Sequence, residues 1–112
     1  PRIVGEGLAR EIFFTGATVE VERAREIGLA NQVYPHDEFM TKALEFCSHL
    51  AQGPTRALGR MKTNLNLATA GTTMEEVFER EALNTRFSGV DIDHRDAVQA
   101  FNDGQKPVFR AR

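Results

Sequence analysis

Three histidines, one cysteine and two tight groups of carboxylates are the side chains whose chemistry could go beyond packing. His36, His49 and His94 lie far apart, and no His or Cys pair falls at i, i+4 to offer half of a metal site. The closest such pair, Cys47 and His49, is two residues apart, which points them to divergent faces of a helix. Asp91, Asp93 and Asp96 open like a calcium loop. Its sixth position is Asp96 where glycine is needed, and its twelfth is Asn102 where a bidentate glutamate is needed, so helix capping is the better account. Glu75, Glu76 and Glu79 crowd the first turns of a predicted helix, where carboxylates favour the positive end of the dipole. A paired acid/base site would also need burial to separate two pKa values, and no apolar pocket surrounds these residues in sequence. Arg56 and Arg60 share a helix face without neighbouring aromatics, which reads as surface charge rather than a nucleic-acid stripe. Cys47, beside Phe46 and Leu50, is expected to act as a small buried hydrophobe and not as a nucleophile. No Gly-rich phosphate loop is present, and no catalytic residue is assigned in this chain.

The elements that would position these side chains are mostly helical. Leu8, Ala9, Ile12 and Phe13 define a helix over residues 7–14, stopped by Gly16; Val21, Ala24 and Ile27 define a second, closed by Gly28. Leu29 to Tyr34 is too short for a helix, contains Val and Tyr and runs into Pro35, so it is expected to be a brief strand. No second strand is evident. An unpaired edge is a liability that stable domains avoid, so the chain is expected to be part of something larger.

Four amphipathic helices should follow. The first runs from His36 to Gln52 with an apolar stripe of Phe39, Ala43, Phe46, Cys47 and Leu50, and Gly53-Pro54 breaks it. The next, Thr55 to Ala70, should turn Leu58, Met61, Leu65 and Ala68 inward and end at Gly71. Thr73 and Glu76 form a capping-box pattern for a third helix that carries Met74, Val77, Phe78 and Ala82 and breaks at Ser88-Gly89. The last, from Asp93 to Asp103, should be capped in front by Asp93, bury Ala97, Val98, Ala100 and Phe101, and end at Gly104 before an extended tail.

At 112 residues the chain is one domain at most, and 41% apolar with 27% charged residues suits a globular protein. A net charge of −2 supplies no field favouring nucleic acid or an anionic membrane, and no apolar run approaches the ~20 residues of a bilayer span. A single cysteine excludes an internal disulfide framework and fits a reducing compartment.

Pro1, Arg2, Thr15, Gly16, Ala24, Gly28, Leu29, Asn31 and Val33 stand in an order that resembles the crotonase superfamily, the enoyl-CoA hydratase/isomerase proteins. The resemblance continues through Glu81, Phe87, Ser88, Asp91 or Asp93, Asp96, Ala97, Ala100, Phe101, Lys106, Pro107 and Phe109. It covers nearly the whole chain and only the C-terminal portion of the family. Two extra residues between Ser88 and Asp96, Asp96-Ala97 in place of glutamate-glycine, and Gly104-Gln105 in place of a pair that is often basic depart from the pattern.

The resemblance implies a mainly α chain with one short strand. Residues 1–35 would end the crotonase α/β core, and residues 36–112 would form a C-terminal helical trimerisation region. It implies a parent enzyme that hydrates or isomerises a 2-enoyl-CoA in fatty acid metabolism, a homo-oligomer (a trimer or dimer of trimers), in the cytoplasm or, after removal of a leader, the mitochondrial matrix. No cofactor is implied beyond coenzyme A as part of the thioester. The family's oxyanion-binding N–H groups and proton-moving glutamates would lie upstream of Pro1, leaving this chain inactive alone. Lys106, with Phe101 or Phe109, would meet the phosphates and adenine of coenzyme A. Lys62 is expected to be structural or exposed. Two alternatives remain: a stand-alone helical assembly module, or another superfamily reaction (hydrolase, dehalogenase or C–C bond formation).

Overall fold

The computed structural model describes residues 1–110, in two compact units, Pro1–Leu44 and Glu45–Arg112. The first unit holds α1 (Glu6–Thr15), α2 (Val21–Glu26) and the start of α3 (Phe39–Ala51), whose end belongs to the second. In α1 the Gly16 N–H donates to Ile12 O at 3.0 Å with Gly16 at φ 63°, a left-handed stop that glycine adopts without strain. α2 ends in a Schellman motif, with Leu29 N–H donating to Ala24 O at 2.8 Å and Gly28 N–H to Arg25 O at 3.2 Å.

No strand forms among the described residues, and the one expected at Leu29 to Tyr34 is absent. Leu29 is consumed by the helix stop, Ala30 N–H also donates to Ala24 O, and residues 32–35 run on without regular structure. A strand exists only through its ladder, and no extended neighbour is available to supply one. Helix α3 begins later than expected, because Pro35 to Glu38 form a turn in which Glu38 N–H donates to Pro35 O.

The second unit is built on α4 (Thr55–Thr69), α5 (Met74–Gly89) and α6 (Ile92–Asn102), with α5 packed against both α4 and α6. The capping box at the start of α5 is formed as the sequence suggests: Thr73 Oγ1 accepts from Glu76 N–H, and Glu76 Oε2 accepts from Thr73 N–H at 3.1 Å. Helix α5 ends at Gly89, at the Ser88-Gly89 pair expected to break it, but Gly89 is its last helical residue with no left-handed φ and Val90 is the C-cap. Asp91, not Asp93, is the N-cap residue of α6; Asp93 sits in its first turn and is buried.

The faces differ more than the boundaries. Helix α4 half-buries Ala57, Arg60, Asn64 and Leu67, while Met61, Leu65 and Ala68 of the expected inner face lie exposed and only Leu58 is half-buried. The reason is polar: Asn84 Nδ2 of α5 donates to Asn64 Oδ1, and Arg60 reaches Ser88 and Asp91. On α3, Phe39, Phe46, Cys47 and Leu50 are exposed, so Cys47 is not the buried hydrophobe expected. On α6, Ala97 and Ala100 are half-buried but Val98 and Phe101 are not. Among the described residues the buried hydrophobic side chains are Ala9 in the first unit and Val77 in the second.

Candidate functional site

Gly53-Pro54 ends α3 and opens α4, and the turn leaves His49, Leu50 and Gln52 on one side of a groove of about 530 Å³. Leu58 of α4 and Lys106, Pro107 and Phe109 of the tail also line it. That volume falls in the ~300–1,000 Å³ range of small-molecule sites. Its lining carries one ammonium, one imidazole and one carboxamide, with no carboxylate among the lining residues. Such a set can donate hydrogen bonds and positive charge to an anion while Leu50, Leu58 and Phe109 offer apolar surface.

Two of the three residues expected at a coenzyme surface, Lys106 and Phe109, meet in this groove. Phe101 does not line it: its side chain is 84% exposed on α6. Lys62, on α4, is exposed. His49 and Gln52 entered the groove without a signal in their own residue types; the Gly53-Pro54 break was the only hint that a helix end would present them.

A smaller cavity of about 210 Å³ adjoins the same two walls, since Pro54 and Phe109 line both, and Asp93 and His94 of α6 complete it. Asp93 is only 4% exposed, and its Oδ1 accepts from Arg110 N–H at 2.9 Å. Beside this cavity, Arg60 Nη1 donates to Ser88 Oγ at 3.1 Å and pairs with Asp91 Oδ2, while Arg56 Nη1 lies 3.5 Å from Asp91 Oδ1. The Arg60 hydrogen bond, aided by the charges of Arg60 and Arg56 and opposed by burial, holds the Asp91 carboxyl below its usual range. The two arginines expected to be mere surface charge therefore join α4 to the start of α6.

Among the described residues no group of three or more His, Cys, Asp or Glu side chains could hold a metal ion, and no helix is long and apolar enough to cross a membrane.

The class that this geometry defines is a helical unit with a groove at its tail whose lining residues include no carboxylate. The family model described as enoyl-CoA hydratase/isomerase matches residues 1–112, and the chain belongs to that family. It is 30% identical to the 1,2-epoxyphenylacetyl-CoA isomerase of Escherichia coli over all of this chain and 42% of that protein. It is 29% identical to the mitochondrial Delta(3,5)-Delta(2,4)-dienoyl-CoA isomerase of Dictyostelium discoideum over 97% of this chain and 37% of that protein. Among solved structures, a Mycobacterium abscessus protein classed with the enoyl-CoA hydratase/isomerases superposes with a TM-score of 0.93 at 34% identity, over all of this chain and 43% of that one. An enoyl-CoA hydratase/isomerase from Cupriavidus metallidurans gives 0.88 at 27% identity, again over all of this chain and 43% of the other. The chain thus spans about two fifths of the length of the relatives it matches.

Proposed function

We propose that these residues serve as the C-terminal part of an acyl-CoA-processing enzyme, a 2-enoyl-CoA hydratase or isomerase, and supply subunit contacts together with part of the surface for the nucleotide end of coenzyme A. The observation that carries this reading is the groove in which Lys106 and Phe109 meet with no carboxylate in the lining. A phosphate-bearing ligand would find a cation from Lys106 and a ring from Phe109, and His49 and Gln52 would extend the donor set. Proton transfers and the stabilisation of an enolate-like oxyanion would come from residues outside this chain, because the groove offers no acid/base carboxylate and no buried nucleophile. The exposed apolar side chains of α3 and α4 support the assembly role, with a trimer or dimer of trimers as the expected state, in cytoplasm or mitochondrial matrix. They are also what a helical assembly module without catalysis would display, and the groove separates the two readings.

The test is Lys106→Ala in the intact protein that carries these residues, with affinity measured for a coenzyme A thioester and for the truncated pantetheine thioester. The contact is charge-assisted but exposed, so the expected loss is roughly two- to tenfold for the first ligand and none for the second. Equal loss for both, or none for either, overturns the assignment and leaves the assembly module.

A further inference from the structure

Lys106 and Phe109 belong to a stretch, residues 105–110, that has no helix and no ladder pairing of its own. What fixes such a stretch is found at its ends. At the start, Gly104 takes φ 65°, Gln105 N–H donates to Ala100 O at 2.8 Å and Gly104 N–H donates to Phe101 O at 3.1 Å, a Schellman motif that sets the direction in which the tail leaves α6. At the finish, Arg110 N–H donates to Asp93 Oδ1 at 2.9 Å, bringing the tail back onto the first turn of the same helix. Pro107 restricts φ between the two fixed points. Asp93 is buried while Arg110 is exposed, so the shielded partner of this bond is the carboxylate, where a charge-assisted bond to a backbone N–H is strong.

We propose, resting on the coenzyme reading above, that Asp93 is a positioning residue for the groove: by accepting the Arg110 N–H it holds Lys106 and Phe109 in the arrangement that receives a phosphate-bearing ligand. Without that bond the tail keeps the Gly104 turn and the packing of Phe109 but loses its far hydrogen bond, and part of the ordering of residues 105–110 shifts from folding to binding, where it weakens affinity. The weakening falls on ligands that use Lys106. A pantetheine fragment, which lacks the phosphates of the nucleotide, is untouched.

The bond can be cut from its exposed side. Arg110→Pro deletes the N–H donor and leaves Asp93 in place, whereas Arg110→Ala removes the same charge and keeps the N–H. Both are made in the intact protein, each with and without Lys106→Ala, and the dissociation constants of coenzyme A and pantetheine are measured by calorimetry. Arg110→Pro is expected to weaken coenzyme A binding roughly three- to tenfold relative to Arg110→Ala, to leave pantetheine unchanged, and to add less when Lys106 is already alanine, the remainder being the share of Phe109. Asp93→Asn, which keeps an acceptor oxygen, should retain most of the preference that Asp93→Ala loses. Arg110→Pro and Arg110→Ala behaving alike, an equal loss for both ligands, or a penalty undiminished in the Lys106→Ala background each overturns the proposal. A Lys106→Ala protein that shows no change in ligand preference instead overturns the coenzyme reading, a distinct outcome.

Discussion

Asp91 shows how much one side chain can carry in a chain with few buried apolar residues. It begins α6, pairs with Arg60 and Arg56 of α4, and with Ser88 shares the Arg60 guanidinium, so three helices meet at it. The Arg60 hydrogen bond keeps its carboxyl titrating below its ordinary value, which fixes the sign of a pH effect. In the window between the lowered folded value and the ordinary unfolded value, the unfolded chain binds more protons, so stability rises with pH. The contribution is complete above the ordinary aspartate value of ~3.9 and is lost as pH falls through the folded one. Asp91→Asn is therefore expected to lower the thermal midpoint at neutral pH, with the gap to the parent narrowing as the buffer is taken below ~3.9. A constant gap down to acid unfolding contradicts the pairing. The sequence placed the cap of this helix at Asp93, two residues too late, and the partners of Asp91 lie 31 and 35 positions away, where residue type alone does not link them.

At the scale of elements, most helix ends were legible and several helix faces were not. Thr73 with Glu76, and glycines 16, 28 and 104, stop or start helices through bonds within a few residues, so their chemistry can be read along the chain. Replacing Thr73 by alanine removes the acceptor for Glu76 N–H and should cost about 1 kcal/mol, measured as a shift in the urea midpoint at unchanged m-value. No shift shows that Glu76 sustains the helix start without it. Which face turns inward depends on what lies opposite, and periodicity assumes that apolar residues meet apolar partners. Helix α4 breaks that assumption, since Arg60 and Asn64 find polar partners on α5 and at the start of α6 while Met61 and Leu65 remain exposed. The absent strand has a similar origin: Val33 and Tyr34 have strand propensity, but no neighbour is present to make a ladder. The groove was half legible for the same reason. Lys106 and Phe109 stand close in sequence, whereas His49 and Gln52 join them only through the fold.

Large apolar side chains lie exposed in each of the two units: Phe13, Phe14, Phe39 and Met40 in the first, Phe46 and Phe78 in the second. Surface of that kind seeks partners. A chain that serves as the C-terminal part proposed above would depend on assembly for its stability and on residues outside itself for chemistry. Its direct test is to express the 112 residues alone and examine them by size-exclusion chromatography with light scattering, alongside a crotonyl-CoA hydration assay. The expected result is self-associated material with no turnover above the buffer rate; a well-folded monomer, or measurable hydration by these residues alone, would contradict it.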